Sequence, residues 1–325
     1  MKPQPTRAKL RRSRHSRLLR GLVACAVLAG VAAVPASLAA VHASPRAGVA
    51  AAATAVPAWG PAALPAPAVA ASAGSTTGTI RLTSGGRQRT AIVLTPRTTR
   101  PVPLVVVLHG RDSTPAEELV RTGFADLAAN GQAVLAYPAG VGESWNARTG
   151  CCAMAAKQKV NDVAFLGALV TAIEKHAPVD PSRVYLVGYS NGGRLALTAA
   201  CALPGIAGVA TYGTAEPARC DSPHPPPVLI GYGSTDPHAA PGHARGITGP
   251  ETAADWRSVQ GCAGTPSITT VGPATIKSWA SCRNNGRVEL IRWADLNHHW
   301  PNAAVVPPNA TGRTLIWTFL TAPRS

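Results

Sequence analysis

Gly188-Tyr189-Ser190-Asn191-Gly192 places a serine between two glycines. A serine hydroxyl is a poor nucleophile until a base takes its proton, so attack on a carbonyl needs a histidine within hydrogen-bond reach and a carboxylate to orient it. The five residues alone are weak evidence, and the context raises them. The run Arg183-Val184-Tyr185-Leu186-Val187 enters as a strand, and a helical stretch from about Gly193 to Leu203 leaves. A strand, a sharp turn and a helix lift a serine side chain above a sheet, and flanking glycines make room for the turn.

In this arrangement the acid and then the histidine follow the serine along the chain. The run ending in Ile230-Gly231-Tyr232-Gly233 leads to Ser234-Thr235-Asp236-Pro237, which puts Asp236 just past the end of a strand. Asp236 is the expected acid, with Asp221 and Asp295 as alternatives and a turn-capping role as the bland reading. The last strand, Val288 to Trp293, leads to Asn297-His298-His299-Trp300-Pro301, so His298 or His299 is the expected base. His238 and His243 read as exposed loop residues. A tetrahedral intermediate also needs donors for its oxyanion. The backbone N–H groups of Asn191 and Arg111 are expected to supply them, with His109 bracing the Arg111 loop.

Short apolar runs alternating with helical patterns predict an α/β fold, a mostly parallel central sheet with helices on both faces. Expected strands are 79–82, 90–94, 103–108, 133–137, 183–187, 206–212, 228–232 and 288–293. Expected helices are 116–129, 161–176, 193–203, 251–260 and 311–320. Pro103 to Leu108 reads as a central strand buried on both faces. Only Gly213 to Pro226 follows the strand after the serine's helix, too short and Pro-rich to build a large lid.

The chain has 325 residues, 46% of them hydrophobic, enough for one large domain and a sizeable core. Of its 31 Lys and Arg residues, eight lie in the first 43 positions, which contain no Asp or Glu; without them the formal charge falls from +16 to +8. The remainder is scattered and accompanies no nucleic-acid module, so no nucleic-acid partner is expected. The basic residues from Lys9 to Arg20 precede an uncharged, Ala-rich stretch from Gly21 to Pro45, the layout of a signal peptide over 1–43 with cleavage near Ala39 or Ala43. That layout implies an extracellular protein. A membrane or cell-wall tether is the alternative, which Pro35 disfavours, and no stable membrane partner is expected. From 44 to 75 the chain is an Ala/Pro-rich linker, and 76–325 is the expected catalytic domain. Six cysteines follow: Cys151, Cys152, Cys201, Cys220, Cys262 and Cys282. An even count in an exported chain favours disulfides, with fifteen pairings open. None forms a C-x-x-C pair or a Cys/His cluster, so no metal is expected, and no cofactor is implied.

In order, Leu108-His109-Gly110, Tyr137-Pro138, Ser144-Trp145-Asn146, Cys151-Cys152, Val160-Asn161-Asp162-Val163, Gly188 to Gly192, Gly233 to Pro237 and His298-His299-Trp300-Pro301 resemble the extracellular polyhydroxybutyrate-depolymerase-like and feruloyl-esterase-like α/β hydrolases, near carbohydrate esterase family 1. The resemblance runs from about Arg81 to Trp317. It implies the α/β-hydrolase fold and a Ser190, Asp236, His298 triad, deciding His298 over His299. It also implies a bridge like Cys262 with Cys282 around a hairpin before the last strand, and another like Cys201 with Cys220. That leaves Cys151 and Cys152 either to pair with each other or to reach Cys201 and Cys220. The sequence departs from the pattern at Leu296-Asn297, where relatives often carry glycines, and at Asn161, where Asp is usual.

These residues imply a serine carboxylic ester hydrolase acting on a small-molecule or polymer-borne ester: short-chain, hydroxyalkanoate, or feruloyl or acetyl polysaccharide esters. Trp145 and Trp300 are candidate stacking surfaces for a sugar or ferulate ring, or core residues. The alternatives are a non-catalytic secreted binding protein or a serine peptidase on the same fold. The sequence leaves the oligomeric state open.

Overall fold

The computed structural model describes residues 74–147 and 151–323. The expected signal segment, 1–43, and the linker up to residue 73 lie outside the described residues. A ten-stranded sheet forms the frame: β1 (Ser75–Ser84), β2 (Arg87–Pro96), β3 (Val102–Leu108), β4 (Val134–Pro138), β5 (Val179–Tyr189), β6 (Ile206–Tyr212), β7 (Val228–Gly233), β8 (Ser267–Val271), β9 (Ala274–Trp279) and β10 (Val288–Trp293). The strand order is β1-β2-β4-β3-β5-β6-β7-β10-β9-β8. From β4 to β10 every neighbouring pair is parallel, and antiparallel hairpins close both edges. The sheet is thus the mostly parallel one that the sequence predicts.

Seven α-helices complete the fold: α1 (Pro115–Thr122), α2 (Ala125–Ala129), α3 (Ala153–Lys157), α4 (Asp162–Glu174), α5 (Asn191–Ala202), α6 (Gly249–Gln260) and α7 (Gly312–Thr321). All seven residues of β3 are buried, and they alternate between two cores. Leu104, Val106 and Leu108 face Leu166 and Leu169 of α4, Leu195 of α5 and Trp256 of α6. Val105 and Val107 face Leu119 of α1, Leu127 of α2 and Phe319 of α7. A strand covered on both sides can afford no polar residue, which is why its sequence is an unbroken apolar run.

Three expectations change. The helix expected over 116–129 is two helices, because Gly123 takes a left-handed conformation (φ 65°) that ends α1. Helix α3 is not among the expected elements, and the strands of the β8–β9 hairpin are not either, although the resemblance places a hairpin between Cys262 and Cys282 before the last strand. Residues Ser267–Thr270 are exposed, so no buried face imposes an alternation that could be read. Asn161 caps α4 by accepting from Ala164 N–H at 3.0 Å, doing what Asp would do. No helix forms between β6 and β7, as the expected absence of a large lid requires.

The parallel strands all point one way, so the loops after β3, β5, β6, β7 and β10 gather at one edge of the sheet. That edge carries the site.

Candidate active site

Ser190 sits between the last residue of β5 and the first of α5, with φ 52° and ψ −118°. This is strained backbone for a residue with a side chain, and its neighbours enforce it. Gly188 and Gly192 tolerate it: a Cβ on Gly192 would fall on the carbonyl oxygens of Leu108 and His109, and one on Gly188 would strike Gly192 and Gly193. Ser190 N–H donates to Tyr212 C=O at 2.9 Å, and Thr214 Oγ1 donates to Ser190 C=O at 2.7 Å, pinning the turn to the end of β6.

His298 Nε2 lies 3.0 Å from Ser190 Oγ, and His298 Nδ1 lies 2.9 Å from Asp236 Oδ2. A carboxylate only accepts, so Nδ1 carries the proton and Nε2 is free to accept from the serine. Asp236 is fully buried, and its Oδ1 also accepts from His238 N–H at 2.8 Å. The histidine loop is held by backbone acceptors: Tyr212 Oη donates to Asn297 C=O at 2.8 Å, Thr235 Oγ1 to Leu296 C=O at 3.1 Å, and Tyr189 Oη to His298 C=O. Leu296 and Asn297 therefore sit in a braced loop through their carbonyls, which any residue could supply.

The cleft around Ser190 holds about 300 Å³, and Arg111, Cys151, Cys152, Asn191 and His298 are among its lining residues. Asn191 is the first residue of α5, where backbone N–H groups have no carbonyl partner within the helix. His109 is buried behind the Arg111 loop. Its Nδ1 lies 2.7 Å from Gly110 C=O, and its Nε2 accepts from Gly140 N–H at 3.0 Å. Burial lowers its pKa from the ordinary imidazole value to about 4, so it is neutral and acts as a brace.

The structure corrects two candidate contacts. Trp145 is fully buried: its Nε1 donates to His109 C=O at 2.8 Å, and its backbone N–H donates to Asn191 Oδ1 at 2.8 Å. Trp300 is 3% exposed and packs edge-on against Tyr189 and Tyr212. Neither offers a face to a substrate ring. Among the described residues, His299, Asp221 and Asp295, the sequence alternatives, form no hydrogen bond with Ser190, whose Oγ is partnered by His298. His238, expected as an exposed loop residue, is exposed, yet its ring lies 4.6 Å from that of His298 and lines the cleft. Burial, and then the nearby His298, lower its pKa. Its place two residues after Asp236 was the one available signal.

All six cysteines among the described residues are paired, as Cys151–Cys152, Cys201–Cys220 and Cys262–Cys282. The alternative in which the adjacent pair reaches Cys201 and Cys220 is thereby removed.

Residues 90–254, half of the chain, match the Dienelactone hydrolase family. The chain belongs to that family. Among curated relatives of this dienelactone hydrolase family member, the "Putative esterase NocK" of Nocardia uniformis subsp. tsuyamanensis is 39% identical over 140 residues, covering 42% of this chain and 40% of that protein. Feruloyl esterase B of Piromyces equi is 24% identical over 212 residues, covering 59% of this chain and 38% of that protein. The chain thus spans about two fifths of the length of these relatives. An acetyl xylan esterase from Aspergillus awamori shares the fold, with a TM-score of 0.55 at 15% identity over 70% of this chain and 96% of that one. The chain is an esterase-like α/β hydrolase.

Proposed function

We propose that this family member is a secreted serine esterase that hydrolyses carboxylic esters through an acyl-serine intermediate. One observation carries the reading: Ser190, His298 and Asp236 form a continuous hydrogen-bond chain of 3.0 and 2.9 Å at the mouth of a cleft. Ser190 Oγ attacks the ester carbonyl as His298 Nε2 takes its proton, and Asp236 holds the imidazole tautomer and steadies the imidazolium that forms. The backbone N–H groups of Asn191 and Arg111 receive the oxyanion. His298 then protonates the departing alcohol, and water repeats the sequence on the acyl-serine to regenerate the free hydroxyl. None of these steps calls on a metal or an organic cofactor.

The basic segment and apolar stretch at the N-terminus support export, as do three disulfides, which persist in oxidising compartments. Among the described residues no helix is long and apolar enough to cross a membrane. Substrate esters in this reading are short-chain, hydroxyalkanoate, or feruloyl or acetyl esters of polysaccharides, the last two in keeping with the names of the matched esterases.

Purified protein is expected to release nitrophenol from 4-nitrophenyl acetate, and Ser190→Ala to lower kcat by at least about a thousandfold. An unchanged rate in that variant would sink the mechanism, and cleavage of the matching nitroanilide would favour a peptidase.

A further inference from the structure

In an acyl-serine mechanism the departing alcohol oxygen takes its proton from His298 Nε2, so the alcohol portion lies on the histidine's side of Ser190. On that side the cleft runs into a groove of about 710 Å³, and Arg194, Ala215 and His238 line both. The acyl portion must then leave the reacting carbon on the other side, past Asn191. There the lining changes character. Cys151 and Cys152, both half-buried, face the cleft and not the groove. Of the other residues that line the cleft and not the groove, Arg111 and Asn191 are polar, and the Tyr189 ring lies against His298, 5.1 Å between centroids. Disulfide sulfurs are polarizable and carry no N–H or O–H, so they are the surface an apolar chain meets.

The pair is also held in place. Cys152 N–H donates to Trp145 C=O at 3.0 Å, Cys151 pairs with Ala147 in an isolated β-bridge, and Asn191 Nδ2 lies 3.9 Å from Cys151 Sγ. The Asn191 amide grips Trp145 at both backbone atoms, Oδ1 accepting at 2.8 Å and Nδ2 donating at 3.2 Å. The residue offering an oxyanion N–H thus also fixes the segment bearing the disulfide. Covalent linkage denies both cysteine side chains independent rotation, so the surface cannot swing aside for a longer chain.

We propose that the Cys151–Cys152 disulfide is the acyl-binding wall of the cleft, admitting acetyl to butyryl groups, a free hydroxyl included, and turning longer acyl groups away, so that of the ester classes named above it keeps the short-chain, acetyl and short hydroxyalkanoate esters and drops the feruloyl ones. The inference rests on the serine-esterase reading. Its test is a series of 4-nitrophenyl esters with one leaving group and acyl chains from acetate to octanoate. For the native protein, kcat/KM is expected to fall by about tenfold or more between butyrate and octanoate, the scale on which a pocket discriminates methylenes. A flat or rising profile overturns the proposal whatever any variant does. In Cys151→Ala/Cys152→Ala the octanoate-to-acetate ratio of kcat/KM is expected to rise by about tenfold. An unchanged ratio in a variant with a native near-ultraviolet circular dichroism spectrum also overturns it. Activity persisting in Ser190→Ala would defeat the esterase mechanism itself, an outcome separate from either profile.

Discussion

Asp236 has two tasks, and the first depends on its being a carboxylate rather than an amide. It accepts the Nδ1 proton of His298 at 2.9 Å and the backbone N–H of His238 at 2.8 Å, from a fully buried position. Asn in its place keeps the shape but can donate to Nδ1, which drives the proton to Nε2 and turns the base toward Ser190 with nothing to accept. Asp236→Asn is expected to lower kcat by about 10⁴-fold with KM little changed. A loss under about tenfold, measured on protein of native melting temperature, would assign the carboxylate to turn capping instead. Ser190, Asp236 and His298 could be picked out in the sequence because each follows a strand whose apolar run is itself legible, and the resemblance chose between His298 and His299. Trp145 and Trp300 could not be placed, since an aromatic residue after a strand looks the same facing in or out. What turns Trp145 inward is the Asn191 amide, a partner 46 positions away. His238 was missed for the related reason that its approach to His298 is a contact between two loops.

Helix α1 and the end of β3 carry two buried ionisable groups that pull stability in opposite directions. Glu118 on α1 is fully buried, paired with Arg121 Nη1 at 2.6 Å through one oxygen, and burial raises its pKa to about 7. A carboxyl whose folded pKa lies above its unfolded one favours folding below the unfolded value, near 4.5, and that contribution is lost as pH rises through about 7. His109 works the other way. Its folded pKa is depressed to about 4, so stability present above the ordinary imidazole value is lost as pH falls toward 4. Each shift corresponds to about 3 kcal/mol at its limit. Urea midpoints of Glu118→Gln and the native chain should be similar at pH 4.5, with the variant gaining by up to about 3 kcal/mol at pH 8. A constant difference across that range would mean Glu118 is ionised throughout. The sequence marks the start of α1 well, with Thr114 and Glu117 forming a reciprocal cap, yet Glu118 among four polar or charged neighbours gives no hint of burial. Elements with two covered faces, such as β3, could be read directly. A strand with no buried face, such as β8, could not.

The molecule separates chemistry from reinforcement along the direction of its parallel strands. Ser190, Asp236 and His298 follow the C-terminal ends of β5, β7 and β10, whereas Cys282 lies six residues before β10 starts and Cys262 just beyond α6. Their bridge spans a sequence separation of 20 and encloses the β8–β9 hairpin, which pairs with the rest of the sheet only through β10. Closing a loop of that length restricts the unfolded chain by about 3 kcal/mol. Because the bridge sits at the opposite end of the strands from the cleft, that stabilisation should be independent of catalysis. Cys262→Ala/Cys282→Ala is therefore expected to lose about 3 kcal/mol in denaturant unfolding while kcat on 4-nitrophenyl acetate stays within about twofold of the native value at a temperature where both are folded. A fall in kcat without a matching fall in stability would mean that the hairpin reaches the site through β10, whose end carries the His298 loop. Denaturant unfolding of Cys151→Ala/Cys152→Ala, set beside its rates across the acyl-chain series, should show the reverse pattern. A bond between neighbouring residues encloses almost no chain, so its removal should cost little loop entropy while altering which acyl groups are taken.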